Sequence, residues 1–288
     1  MLRFSQNRKH TEETLTAEEK IILARFLDLT DDYLRSGYAG NREEYIFYDD
    51  ASIKASSGER PLPLAYMVEE SEFNNSGEED SLDSALEKIY AEIRACRACD
   101  LGAARTLAAP GEGVTHPLVM VIGEGPGAEE DAAGRPFVGR AGQLLDRMLS
   151  SIGISRTANC YIANTVKCRP PENRNPEPGE VSACYPFLIR QILLLKPKII
   201  LCAGRVAAQT LIKTNEGINA LRGRFISFTP EYISGFMPAD PAADNSEKDE
   251  IPVLCTFHPS AILRDDSLRR PAWEDLKLLR NKLESLKE

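Results

Sequence analysis

Short apolar runs alternate with helical patterns from residue 82 onward, and this alternation constrains the fold more than any other feature of the chain. The runs predict strands: LVMVIG (118–123), CYIAN (160–164), KIILCA (198–203), FISF (225–228) and VLCTF (253–257). Helical periodicity covers 82–97, 140–152, 179–195, 204–213 and 272–287. We therefore predict an α/β fold of three layers, in which helices flank a central, largely parallel β-sheet.

The first 81 residues lack this alternation and are predicted to form a separate N-terminal extension. One helix is expected there, because Thr16 and Glu19 fit a capping box and apolar residues then recur on one face as far as Tyr33. Residues 37–80 lose periodicity, and the stretch SGERPLP and the acidic run of Ser, Asn, Gly and Glu from Glu69 to Asp80 predict a flexible linker. The predicted organisation is thus a partly disordered extension (1–81) and one domain (82–288).

The distribution of charge matters more than the net charge of -9, which by itself argues against a nucleic-acid partner. Residues 1–85 hold 9 Lys and Arg against 19 Asp and Glu, whereas residues 86–288 hold 26 against 25. The acidity therefore belongs mainly to the extension. No run is long and apolar enough for a membrane span, and the N-terminus has no apolar signal core, so we expect a cytoplasmic protein without membrane contact. The crowded surface charge gives no signal of a dimer, so we expect a monomer.

Four of the seven cysteines have a spacing that is typical of a metal centre: Cys96 and Cys99 on one turn, with Cys168 and Cys184 far along the chain. Four thiolates fit either tetrahedral zinc or a four-iron cluster, and the spacing leaves both open. The alternative is that they are small buried apolar residues. Burial is the prediction for the three cysteines within predicted strands: Cys160, Cys202 and Cys255.

Polar and glycine-rich segments come after three predicted strands, at the edge of a parallel sheet where ligands bind. The turn GEGPG succeeds the first strand; Gly123 and Gly125 let the backbone approach a ligand, and Glu124 could orient a water. A purely structural turn is the alternative. The turn does not complete the dinucleotide fingerprint, because Ala128 occupies its sixth position.

Three further residues are candidates for the site. Phe137, on the loop GRPFVG, could stack on a planar base or could belong to the core. Asn164 ends the second strand, and His258 comes just after the last. The segment PSAILR after His258 has apolar residues beside an arginine, a composition suited to entering a base stack; its candidate residues are Ser260, Ile262, Leu263 and Arg264.

Taken together and in order, these segments resemble the family 4 uracil-DNA glycosylases, the iron-sulfur branch of that superfamily. The matching stretches are CRACDLG, GEGPGAEEDAAGRPFVGRAGQLLDRML, YIANTVKCRPPENRNPEP with Cys184, KPKIILCAGRVAAQTL and TFHPSAILR. The resemblance implies one structural 4Fe-4S cluster, held by Cys96, Cys99, Cys168 and Cys184. It covers neither residues 1–81 nor the acidic insert near 235–250.

The resemblance also implies roles for the residues at the strand ends. Phe137 would stack on a flipped uracil, Asn164 would read its O4 and N3-H edge, and His258 would donate a hydrogen bond to O2 as negative charge develops. Glu124 would orient the attacking water. Gly123 and Gly125 would lie against the base, and PSAILR would wedge the duplex with Ile262 or Leu263 as its tip.

Other functions are less consistent with the same residues. A DNA-binding module without catalysis is disfavoured because all four implied site residues are present. A redox protein built on the cluster and a nucleotide-dependent enzyme are further alternatives, the latter lacking a Walker lysine. The expected partner is uracil-containing DNA, single- or double-stranded, with ordinary turnover and no covalent link to the product. The acidic extension could additionally bind a repair protein.

Overall fold

The computed structural model describes residues 76–229 and 250–286. The helix predicted near 16–33, most of the predicted linker and nearly all of the acidic insert lie outside the described residues, so these remain predictions. Within the described part, no helix is long and apolar enough to cross a membrane.

A β-sheet forms the centre of the domain, as predicted, and it has six strands where the sequence indicated five. Its strands are β1 (Glu112–Gly113), β2 (Val119–Gly123), β3 (Cys160–Asn164), β4 (Ile199–Ala203), β5 (Phe225–Phe228) and β6 (Ile251–Thr256). They lie in the order β1-β3-β2-β4-β6-β5. The four inner strands are parallel, whereas β1 and β5 pair antiparallel at the two edges. The inner strands are almost completely buried because helices cover both of their faces.

The helices are α1 (Ser76–Ala95), α2 (Leu101–Ala104), α3 (Ala128–Ala133), α4 (Arg140–Ser150), α5 (Pro178–Leu195), α6 (Arg205–Ile212), α7 (Ile218–Leu221), α8 (Pro259–Arg264) and α9 (Arg269–Ser285). Two short 3-10 turns cover Pro171–Asn173 and Asp266–Leu268.

Alternate side chains of each strand point to opposite faces, and this divides the core into two clusters. Met120 and Ile122 face one cluster, which includes residues of α1, α5 and α6. Val119 and Val121 face the other, which includes residues of α4 and α9. The domain therefore has the three layers that the sequence predicts, and Cys160, Cys202 and Cys255 are fully buried in strands, as expected.

The parallel inner strands bring their carboxyl ends to one edge of the sheet. Strand β2 ends at Gly123, β3 at Asn164, β4 at Ala203 and β6 at Thr256. Three of these ends carry residues that the sequence singled out: the GEGPG turn begins at Gly123, Asn164 is the last residue of β3, and His258 comes just after β6. The topology therefore places the candidate residues of distant segments at one edge.

Candidate active site

Gly123, Phe137 and Asn164 meet at this edge of the sheet. Gly123 and Asn164 are direct partners in the parallel register of β2 and β3. A methyl group at Gly123 would collide with Asn164 Oδ1 and would lie 2.5 Å from Phe137 Cζ. Glycine at position 123 is therefore required by the close approach of these two side chains.

Asn164 carries a hydrogen-bond acceptor without a partner, next to Gly123 and Phe137. The residue is 1% exposed, and its Oδ1 is buried without a hydrogen-bond partner in the described structure. An unsatisfied buried oxygen costs roughly 1–3 kcal/mol, so a ligand N–H that reaches it recovers that free energy. The site is thus prepared to bind a hydrogen-bond donor.

Phe137 is held in an unfavourable backbone conformation beside Asn164. Its φ of 53° is uncommon for a residue other than glycine, and its side chain is 5% exposed. Arg156 donates from Nη2 to Phe137 O (2.9 Å) and from Nη1 to Pro136 O (3.1 Å). Gly142 in α4 lets the main chain at Phe137 pack closely, since a Cβ there would overlap Phe137 O.

Glu130 connects the GEGPG turn to the Phe137 loop. Its Oε2 accepts from Gly127 N (3.0 Å), and its Oε1 accepts from Val138 N (3.0 Å) and Gly139 N (2.9 Å). One carboxylate thereby satisfies three main-chain donors on two segments. This acidic residue in the first turn of α3 therefore has a structural role, because it holds the two segments together.

His258 lies at the N-terminus of α8, and its ring is 5.6 Å from the Phe137 ring with 31° between the planes. His258 Nδ1 accepts from Ser260 N at 3.1 Å and lies 2.8 Å from Ser260 Oγ. Because a main-chain N–H can only donate, Nδ1 carries no proton, and the proton of the neutral ring lies on Nε2. Burial, aided by the charge of Arg264, lowers the pKa of His258 to about 4, so the ring is neutral at physiological pH.

Gly204 shapes the space behind His258. Its φ is +99°, and a Cβ there would lie 2.9 Å from His258 Cβ. Gly204 N also donates to Thr256 O at 2.9 Å. The turn between β4 and α6 therefore supports the segment that presents the histidine.

Glu124 is half-buried in the GEGPG turn. Burial raises the pKa of its carboxyl, while the positive charges of Arg205 and Arg264 act in the opposite direction. With the Asn175 amide oriented so that both of its polar atoms have partners, Asn175 Nδ2 donates to Glu124 Oε1 at 3.2 Å, and its Oδ1 accepts from Arg205 Nη2 at 2.9 Å. Glu124 is thus a carboxylate with a fixed polar neighbour at the same edge of the sheet.

The PSAILR segment forms the short helix α8 next to His258. Ile262 is 1% exposed and belongs to the interior, whereas Ser260 and Leu263 are half-buried and Arg264 is exposed. Burial of Ile262 leaves Leu263 as the apolar side chain near the surface. Of the two tip residues considered from the sequence, only Leu263 is therefore suitable.

The four cysteines of the predicted centre line one pocket. Its other lining residues include Arg105, Lys167 and the apolar Ile93 and Phe187. Arg105 Nη1 donates to Cys168 Sγ (2.8 Å), Lys167 N to Cys184 Sγ (3.3 Å) and Ala98 N to Cys96 Sγ (3.5 Å). No group of three or more His, Cys, Asp or Glu in 76–229 and 250–286 is arranged to hold a single metal ion.

Lys167 connects the cysteine pocket with Asn164. Its buried ammonium donates to Asn164 O (2.9 Å) and to Gln191 Oε1 (2.7 Å), and Gln191 Nε2 donates in turn to Tyr161 Oη (3.0 Å). Lys167 is 1% exposed. The main chain at Asn164 is thereby fixed from the side of the sheet that carries the cysteines.

Several residues that shape the site had no signal in the sequence. Arg156 lies 19 positions from Phe137, and Asn175 lies in the loop between Cys168 and Cys184, so their contacts depend on the tertiary fold. Lys167 was not distinguished from a surface lysine. Glu130 had a usable signal, because an acidic residue three positions after a helix-capping residue commonly bonds back to it.

Comparison with known proteins agrees with the fold. Residues 110–277 match the family model of the uracil DNA glycosylase superfamily. The chain is 41% identical over 201 residues to a type-4 uracil-DNA glycosylase of Sulfurisphaera tokodaii, an alignment that covers 68% of this chain and 84% of the relative. The corresponding protein of Thermotoga maritima is 39% identical over 198 residues, 68% of this chain and 93% of the relative.

A third type-4 uracil-DNA glycosylase, from Pyrobaculum aerophilum, is 40% identical over 197 residues, 67% of this chain and 92% of the relative. These alignments cover most of each relative, and the superfamily model covers the sheet and its strand-end segments. The chain therefore belongs to family 4, the type-4 uracil-DNA glycosylases.

Proposed function

We propose that this protein hydrolyses the N-glycosidic bond of deoxyuridine in DNA, releasing uracil and leaving an abasic site. The observation that carries the proposal is the buried, unpaired Oδ1 of Asn164 beside Phe137. The names of the type-4 relatives support the same activity. Excision of uracil is a step of DNA repair.

In this proposal Asn164 selects the base and Phe137 stacks on it. Asn164 Oδ1 accepts from N3-H of uracil, and its amide nitrogen donates to O4. Cytosine presents an amine and an unprotonated N3 at this edge, so both contacts fail. Thymine has the same edge as uracil and must be excluded at its methyl group, for which the backbone of Gly123 and Gly125 is our candidate.

His258 and Glu124 act on the two sides of the breaking bond. The neutral His258 ring donates from Nε2 to uracil O2 as the departing base becomes negative, and such a donor is worth about 3 kcal/mol in the transition state. Glu124 orients water and stabilises positive charge on the sugar. A neutral histidine is suitable for this role, because it stabilises the departing base by a hydrogen bond and keeps its Nε2 proton throughout the reaction.

The helix α8 provides contacts to the DNA around the flipped nucleotide. Leu263 fills the space left in the stack, and Arg264 and Ser260 contact the backbone. Both single- and double-stranded DNA are substrates in this scheme, since the pocket binds the extruded base.

We also propose that Cys96, Cys99, Cys168 and Cys184 hold a 4Fe-4S cluster. Their common pocket is apolar apart from donors directed at the sulfurs, which is the environment that such clusters favour. The cluster, when bound, contributes structure by joining the end of α1 to the loop between Cys168 and Cys184. The residues of the strand ends carry out the reaction.

The test is uracil release from a labelled oligonucleotide by anaerobically purified protein, with Asn164→Ala and His258→Ala alongside. We expect alkali-labile abasic sites with the intact protein and a loss of at least about a hundredfold in each variant. Both variants should keep the brown cluster absorbance. A brown, folded, DNA-binding protein that releases no uracil would overturn the proposal and favour a binding module.

A further inference from the structure

We propose that Asn175 is a positioning residue for Glu124, delivered to the active site by the loop between Cys168 and Cys184. The inference deepens the proposed function and rests on it. The loop lies between two of the cysteines that we propose as cluster ligands. In this inference it has a specific part in the reaction, in addition to its part in folding.

The geometry places one amide between a carboxylate and a guanidinium. Asn175 Nδ2 donates to Glu124 Oε1 at 3.2 Å, and Asn175 Oδ1 accepts from Arg205 Nη2 at 2.9 Å. An amide neither gains nor loses a proton near neutral pH, so it fixes the carboxylate without competing for its proton. Glu124 Oε2 is then the oxygen left to orient water.

The loop is held rigidly enough to present this amide. Arg174 donates to Asn175 O (3.0 Å) and forms two hydrogen bonds to the buried Glu180 (2.9 and 2.6 Å). On the other side, a Cβ at Gly125 would lie 2.8 Å from Val166 Cγ2 and 3.7 Å from Pro170 Cδ, so the GEGPG turn packs on the start of the loop and on the residues just before it. Asn175 itself is exposed, and its replacement removes little packing.

The charged groups that face Glu124 make the effect of Asn175 measurable. They are Arg205 at the start of α6 and Arg264 at the end of α8; both lower the pKa of Glu124 against the raising effect of burial. A hydrogen bond to the ionised carboxylate acts in the same direction as these charges. Removing the amide donor should therefore raise the pKa of Glu124 and move the acid limb of the rate profile to higher pH.

The experiment is a double-mutant cycle under single-turnover conditions. Asn175→Ala should lower the rate of uracil release about fivefold to tenfold in the natural background and less than about twofold in the Glu124→Ala background, because the oxygen that accepts from Asn175 is absent there. The acid limb of the rate profile should move to higher pH in the Asn175→Ala single variant and in no variant that lacks Glu124. Glu172→Gln, an exposed carboxylate of the same loop, is the matched control and should behave as the unaltered protein.

Each other result overturns the inference. Equal losses in both backgrounds indicate a general structural effect. A weaker affinity for DNA with an unchanged single-turnover rate makes Asn175 a DNA contact. An Asn175→Ala protein that equals the unaltered protein in rate and pH profile shows no role, whereas absence of uracil release from the unaltered protein itself refutes the proposed function instead.

Discussion

Arg156 Nη2 lies 2.9 Å from the main-chain oxygen of Phe137, and this contact fixes the aromatic ring that faces His258. The same guanidinium pairs with Asp146 at 2.8 Å and with Glu112 at 3.3 Å. The positive φ of Phe137 costs on the order of 1–3 kcal/mol and persists only while the surroundings enforce it. Arg156 is therefore, together with Glu130, a side-chain clamp on the loop that carries Phe137.

Replacing Arg156 by Ala should weaken substrate binding through Phe137. We expect kcat/KM for uracil release to fall about tenfold to a hundredfold, with most of the change in KM, because an unclamped ring stacks less favourably. Steady-state kinetics on a uracil oligonucleotide measures this. Arg135→Ala is the matched control: Arg135 pairs with the same Glu112 at 2.6 Å but is exposed. Equal losses in both variants would contradict the clamp.

The proposed recognition of the uracil edge by Asn164 predicts the effect of replacing its amide nitrogen with oxygen. Asn164→Asp keeps the shape of the side chain but replaces the amide donor with a second oxygen, which would face O4 of uracil. Uracil release should fall at least about a hundredfold, because the new carboxylate oxygen and uracil O4 are both acceptors and would face each other without a proton between them. The measurement is single-turnover release at neutral pH, with cluster absorbance and melting temperature as checks of folding. Retained activity would remove Asn164 from base recognition.

The fold was accessible from the sequence because parallel inner strands are buried on both faces and appear as continuous apolar runs. The bounds predicted for β3 and β5 match the structure, and those of β2 and β4 differ by one residue. The two-residue strand β1 was missed, since Glu112 and Gly113 form no pattern and pair only through the register of β3. Pairing of so short a segment depends on tertiary contacts.

The same reasoning explains which site residues the sequence could indicate. Gly123, Asn164 and His258 lie at or just past the ends of strands, and parallel strands bring their carboxyl ends to a common edge. Arg156 and Asn175 act through long-range contacts with Phe137 and Glu124. No local periodicity or spacing encodes such contacts, so only the folded chain reveals them.

The depressed pKa of His258 predicts how stability depends on pH. Its pKa is about 4 in the folded protein and near 6.5 in an unfolded chain, so the unfolded chain binds more protons between these values. Stability should therefore fall as pH decreases from about 6.5 to 4, by at most on the order of 3 kcal/mol from this residue. Melting temperatures measured across this range should decline less in His258→Asn. His116→Asn, which changes an exposed histidine, is the control. An unchanged slope in His258→Asn would contradict the assignment.

Arg105 should protect the proposed cluster. Its guanidinium joins Cys168 Sγ (2.8 Å) to the main-chain oxygens of Arg94 (2.5 Å) and Cys96 (3.1 Å) at the end of α1. Arg105→Met removes the charge and these hydrogen bonds. Cluster absorbance should therefore decay several-fold faster in air or with a chelator, which is roughly the effect expected from the loss of one charged hydrogen bond. Arg97→Met, an exposed neighbour bonded to Cys96 O at 2.9 Å, is the control. Equal decay in the two variants would argue against a role for Arg105.

Leu263 should matter for duplex DNA and little for single strands. A side chain that fills the gap left by a flipped base stabilises extrusion from a stack, whereas a single strand has few stacked neighbours to replace. Leu263→Ala should therefore lower kcat/KM about tenfold or more on double-stranded substrate and less than about threefold on single-stranded substrate. Leu278→Ala, which changes an exposed leucine of α9, provides the comparison. If the ratio of the two activities is unchanged in Leu263→Ala, α8 contacts the DNA without entering its base stack.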